Sequence, residues 1–264
     1  MKVGVIGAGA IGRQIMAALG SRRDLETILL LRSGKARPKG LPDATAVTDT
    51  LADFLAHSPD VVIEAAGQEA VVEMLPPLLS RGIPVILCST GALADQAMRE
   101  ELASLARSAE TEIIVPGGAV GGIDYLRSVS DVPGTRVLYV SRKPPAAWRD
   151  ELAQRGYSPE TLTSPVMLFE GTPEAAARLY PRNLNAALTV ALAAGRATTM
   201  VRVMADPAAS GNCHEIEVTG PAGTARMEFV NAPSPDNPKT SALTALSVLR
   251  ALDERTTRHG MRHV

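Results

Sequence analysis

The chain has 264 residues, a formal net charge of −1, four histidines and two cysteines. That length holds one large or two modest domains, each able to bury a core without disulfides. The near-zero charge offers no basic field for nucleic acid or anionic lipid, and Cys88 and Cys213 form neither a metal spacing nor an obvious pair, so no metal and a reducing, cytoplasmic setting are expected.

The opening MKVGVIGAGAIG lacks the basic start and cleavage site of a secretory signal and reads as a buried strand running into a glycine turn. No apolar run approaches the roughly 20 residues that span a bilayer, so no membrane partner is expected. Apolar runs at 3–6, 27–31, 61–64, 85–87 and 113–115 read as strands. They alternate with helical patterns near 11–19, 51–56, 69–79 and 96–109. That alternation is the signature of βαβ units and predicts an α/β fold opening with a Rossmann-type domain over 1–118.

After PGGAVGGID the rhythm changes. Strands are expected at 136–141, 166–169, 200–204, 215–218 and 225–229, with helices at 173–179 and 185–194. Late strands follow one another without helices between them, which predicts a second, α+β domain over 119–238 with a mostly antiparallel sheet. The Pro-rich NAPSPDNPKT leads into a last helix, 241–252. Its apolar face, from Leu243, Leu246, Val248 and Leu249, is expected to carry segment 239–264 back onto the first domain.

Gly7, Gly9 and Gly12 stand between a strand and a helix, where a Rossmann fold needs a tight turn, close pyrophosphate approach and close helix packing. Ala10 and Ile11 begin that helix and offer backbone N–H groups to the pyrophosphate. About twenty residues further on, where NAD enzymes usually carry an acid, stand Arg32 and Ser33. An Arg there pairs with a 2′-phosphate, so NADP is expected beside NAD; the other reading is a solvated arginine. Ala65 and Ala66 end a strand where ligands bind in open parallel sheets. Glu64 is either a ribose or ammonia contact or a carboxylate facing solvent.

His57, His259 and His263 fall in polar or basic surroundings and are expected to be exposed. His214, in GNCHEIEVTG, starts a strand after a Gly turn and is either a proton shuttle or a structural histidine. Asn183 and Asn185 open a helix, as caps or as hydrogen-bonding groups for cofactor or substrate. Lys239, Thr240 and Ser241 stand at the mouth of the last helix, as an anion site or as a cap with a solvated lysine.

The segments GAGAIG, PGGAVGGID, YPRNLNAA, GNCHEIEV and NPKTSALTALSVL, in that order and over nearly the whole chain, resemble the L-aspartate dehydrogenase family. The resemblance implies reversible NAD(P)-dependent oxidative deamination of L-aspartate to iminoaspartate, which hydrolyses to oxaloacetate and ammonia, with a link to NAD biosynthesis. It puts the catalytic histidine at His214, nicotinamide contacts at Ala119 and Asn185, and substrate-side candidates at Asn183, Asn212 and Lys239 to Ser241. Rival readings are another amino-acid-pathway oxidoreductase, such as a homoserine dehydrogenase, or an NAD(P)-sensing protein without turnover. An exposed sheet face in the second domain would suit a homodimer.

Overall fold

The computed structural model describes residues 1–256 other than 33, 43, 181–183 and 236. The described chain divides into two units, 1–116 with 244–256, and Gly117–Leu243. No helix among the described residues is long and apolar enough to cross a membrane.

The first unit contains β1 (Lys2–Ile6), α1 (Ala10–Gly20), β2 (Glu26–Leu30), β3 (Ala46–Thr48), α2 (Leu51–Ala56), β4 (Val61–Glu64), α3 (Gln68–Leu79), β5 (Val85–Leu87), α4 (Gln96–Ser108) and β6 (Ile113–Ile114). Its sheet has the order β3-β2-β1-β4-β5-β6 with every pair parallel. This is a Rossmann sheet with one strand more than expected. The addition is β3, three half-buried residues that carry too little apolar character to mark a strand by themselves. The order reverses between β1 and β4, so the crevice where such sheets bind ligands lies beyond the carboxyl ends of those two strands. Val3, Val5, Val61 and Ile63 are fully buried, as strands covered on both faces must be.

The second unit contains α5 (Ile123–Val129), β7 (Arg136–Lys143), α6 (Arg149–Ala153), β8 (Val166–Gly171), α7 (Pro173–Leu179), α8 (Asn185–Ala194), β9 (Thr198–Ala205), β10 (Asn212–Gly220), β11 (Gly223–Asn231), β12 (Pro233–Ser234) and β13 (Asn237–Ser241). Its main sheet runs β11-β10-β7-β9-β8, antiparallel except where β7 meets β9. Alternation splits each strand between two faces. Val137, Tyr139, Ile216 and Val218 point into a core shared with Leu126 of α5 and Ala187 and Val190 of α8. The opposite face carries an ion-pair group in which Glu215 meets Arg142 and Arg226.

Two expectations are corrected at the C-terminal end. Thr240 and Ser241, with the backbone of Lys239, directly precede the last helix as expected, but they lie in β13, antiparallel to β12, and the helix starts at Leu243 rather than at Ser241. The hairpin holds them there, with Ala242 N–H donating to Ala232 O at 3.0 Å, and α9 (Leu243–Thr256) starts only afterwards. The buried face of α9 is Ala245, Val248 and Leu252, which join Ile15, Met16 and Leu29 in the first unit's core. Of the expected face, Val248 is in that core and Leu249 packs against it, whereas Leu246 is 61% exposed and Leu243 37% exposed, so the face is rotated toward Ala245 and Leu252.

Candidate active site

In the first unit the glycine pattern is enforced by contact. Gly7 has φ +93°, and a Cβ there would lie 2.7 Å from the Cα of Ala66. A Cβ on Gly12 would lie 2.2 Å from the Gly7 carbonyl oxygen. The β1–α1 turn is therefore pressed against Ala65 and Ala66, bringing these sequence candidates together. Gly9 caps α1 without a side-chain hydrogen bond, and the first turn of α1, Ala10 and Ile11 included, holds no acid. Such a helix start suits a pyrophosphate, because its N–H groups point outward and no carboxylate opposes the anion.

Glu64 corrects the expectation of a solvent-facing or ligand-facing carboxylate, since the side chain is fully buried. One of its oxygens accepts from the N–H groups of Ala66 and Gly67, each at 2.8 Å, and from the Ser89 hydroxyl at 2.9 Å. The other accepts from the Ser89 N–H at 2.9 Å. Four donors fix the turns after β4 and β5 to one charge, so Glu64 shapes the rim of the crevice. Arg32, just past β2, is exposed and pairs with Glu69 in the first turn of α3 at 2.9 Å. Ser33 lies outside the described residues.

In the second unit the decisive group is on β10. His214 is 4% exposed, and its Nδ1 lies 2.7 Å from the Tyr139 hydroxyl on β7. The two rings stack at 27° with centroids 6.0 Å apart. Nε2 is buried and has no hydrogen-bond partner among the described residues. Burial, with a smaller push from the charge of Lys143, lowers the imidazole to about 4, so it is neutral near pH 7. Burial also drives the Tyr139 phenol far above its usual value, so it keeps its proton. A neutral imidazole held through Nδ1 leaves Nε2 as the nitrogen able to exchange a proton.

Asn212 precedes His214 by two residues on the same face and is buried. Its register partner on β11 is Asn231, whose side-chain amide donates to the Ala119 carbonyl at 2.7 Å and to the Ser241 hydroxyl at 3.3 Å. Asn231 thus ties two candidates from distant segments to the strand pair that bears His214. Asn185 opens α8, whose Ala186 and Ala187 share the core with Tyr139. Glu215 faces the other way, into its arginine pairs. Asn183 and Arg182 lie outside the described residues, as do His259 and His263.

Tyr139, Lys143 and Asn231 escaped the sequence reading, which did single out Glu64 but for a different role. The signal for the first two was present: Val137, Tyr139, Ser141 and Lys143 form one alternating face whose end turns from apolar to polar. Asn231 carries no comparable mark.

A Rossmann sheet with this glycine turn, followed by a mixed sheet bearing a buried neutral histidine, defines a two-domain nicotinamide-dependent oxidoreductase. Comparison with known proteins narrows the class. The family described as aspartate dehydrogenase, C-terminal, matches residues 124–255, and the homoserine dehydrogenase NAD-binding domain matches residues 7–116. L-aspartate dehydrogenase 2 of Bordetella pertussis is 44% identical over 254 residues, 95% of each chain. The crystal structure of aspartate dehydrogenase from Thermotoga maritima superposes with a TM-score of 0.78 at 29% identity, covering 100% of this chain and 99% of that one. A hyperthermophilic archaeal homoserine dehydrogenase, at 13% identity and a TM-score of 0.56 over 98% of both chains, shares the fold alone. The chain belongs to the aspartate dehydrogenase family.

Proposed function

We propose that the chain catalyses the reversible NAD(P)-dependent oxidative deamination of L-aspartate, through iminoaspartate, to oxaloacetate and ammonia. The observation that carries the reading is His214, a buried neutral imidazole anchored at Nδ1 with Nε2 left for the substrate. A bound nicotinamide would supply the acceptor for the hydride of the aspartate Cα. The chain's own residues do the rest. His214 Nε2 takes the proton from the water as its oxygen bonds to the imine carbon and passes it to the nitrogen that leaves as ammonia; the same transfers run backwards in the reverse direction. Tyr139 holds the ring in place. Asn212 and Ser241 bind substrate beside His214, and Ala119 and Asn185 contact the nicotinamide. Gly7, Gly9, Ala10, Ile11 and Gly12 cradle the pyrophosphate.

Arg32 accepts a 2′-phosphate in place of Glu69, so NADP is used as well as NAD. The exposed face of the second sheet, where Met167 is 52% exposed among the Arg202–Glu170 and Arg142–Glu215 pairs, carries both charge signs and suits a second copy of the chain. A cytoplasmic homodimer supplying iminoaspartate to NAD biosynthesis follows from this reading.

The test is NAD(P)H oxidation with ammonium and a panel of 2-oxo acids and aldehydes. Oxaloacetate should be turned over far faster than pyruvate, 2-oxoglutarate or aspartate semialdehyde. Preference for the semialdehyde would instead point to a homoserine dehydrogenase-like reaction.

A further inference from the structure

We infer that Lys143 binds a carboxylate of the substrate, beside His214 on the helix-covered face of the second sheet. Lys143 is the last residue of β7 and lies on the same alternating face as Tyr139 and Ser141, and Ser141 is the direct register partner of His214. Among the described residues it is the only lysine or arginine with less than a tenth of its surface exposed, at 4%. The ammonium does not wander. Nζ stands 5.4 Å from the centre of the Trp148 ring, itself fully buried, and a cation over an indole face is attracted to it.

Three features of this placement fit a carboxylate. A compact ammonium is a strong point-charge partner for an anion, and it is stronger where water is excluded. Asn212, buried on the same face of β10 as His214, adds an amide at the same end of the sheet. The charge of Lys143 already reaches the imidazole, whose proton affinity it lowers. The titratable neighbours that act on His214 are Tyr139, through Nδ1, and Lys143, through its field. A substrate carboxylate on Lys143 cancels that field, so binding raises the proton affinity of Nε2 just when the reaction needs a base. One group thus selects an anionic substrate and couples its arrival to the chemistry.

The inference deepens the reading of this chain as an aspartate dehydrogenase and rests on it. The direct test compares Lys143→Met and Lys143→Arg with the unaltered enzyme in the oxaloacetate, ammonium and NADH reaction. Lys143→Met should raise the KM for oxaloacetate by about 30-fold or more and leave NADH binding unchanged, and Lys143→Arg should recover most of the loss. An unchanged KM in a folded Lys143→Met enzyme overturns the inference. Should Lys143→Met fail to fold, the unaltered protein still decides. Titrating the His214 imidazole by NMR with and without saturating succinate, an unreactive dicarboxylate, should show its pKa rise when succinate binds. No movement with succinate bound overturns the role of Lys143. Absence of oxaloacetate turnover in the unaltered protein would instead overturn the assignment of the reaction, so the two failures are separable.

Discussion

The Tyr139 hydroxyl lies 2.7 Å from Nδ1 of His214, and neither side chain has more than 4% of its surface exposed. The bond joins adjacent antiparallel strands, β7 and β10, and fixes which nitrogen of the imidazole is left for a substrate. Tyr139→Phe keeps the ring and its packing and removes the bond to His214. The loss of one buried hydrogen bond, about 0.5–1.5 kcal/mol, predicts a several-fold to tenfold fall in kcat. Cofactor affinity should not change, because the dinucleotide turn belongs to the other unit. Steady-state kinetics beside NADH titration read both, and an unchanged kcat would show that Tyr139 does not orient His214.

The lowered proton affinity of His214 is also a statement about stability. In the unfolded chain the imidazole titrates near 6.5, and in the folded protein near 4. Because the folded value is the lower one, the unfolded state binds more protons between these limits. The stabilising contribution is full above about pH 6.5 and is lost as the pH falls toward 4, by on the order of 3 kcal/mol in total. Urea unfolding should therefore show the unaltered protein losing stability over this window more steeply than His214→Gln. Parallel curves would contradict the buried neutral imidazole.

Arg32 is paired with Glu69 across the first unit, both at the surface. A 2′-phosphate must compete with that carboxylate for the guanidinium. Arg32→Asp should weaken NADP by about tenfold or more relative to NAD, and Glu69→Gln should tighten NADP while leaving NAD nearly unchanged. Fluorescence titration of both reduced cofactors measures the ratio. Equal effects on the two would remove Arg32 from phosphate recognition.

Glu64 accepts four hydrogen bonds from the turns after β4 and β5. Glu64→Gln puts an amide NH2 against N–H donors that need an acceptor, and each stranded buried donor costs about 1–3 kcal/mol. A fall in melting temperature together with weaker cofactor binding is expected. A variant with unaltered melting would mean that the two turns hold their shape without the charge.

The parallel half of the fold was legible because its strands are continuous apolar runs bounded by glycine turns, and the turn at Gly7 to Gly12 needs residues without Cβ atoms. β3 was not, since Ala46 to Thr48 owe their strand to pairing with β2 rather than to their own pattern. Lys239 to Ser241 read as a helix mouth because the two-residue partner strand, Pro233–Ser234, sits inside a Pro-rich stretch that hides it. The docking face of α9 was partly visible: Val248 and Leu249 of the expected face pack on the first unit's core, but so do Ala245 and Leu252, while the more apolar Leu246 is exposed. His214 stood out as the one histidine placed at a strand start. Tyr139, Lys143 and Asn231 did not, because nothing local says that β7 and β11 flank β10.

The central claim is that His214 is the acid/base group of an aspartate dehydrogenase. Its most direct test is the rate of NADH and NADPH oxidation with oxaloacetate and ammonium for His214→Ala beside the unaltered enzyme, with cofactor dissociation constants and melting measured on the same samples. The variant should stay folded and keep its cofactor affinity at neutral pH, with melting lowered by the cavity and the stranded Tyr139 hydroxyl, while kcat falls by roughly 10²- to 10⁴-fold, the range for a lost general acid/base. Near-normal turnover in a folded, cofactor-binding His214→Ala protein would contradict the account.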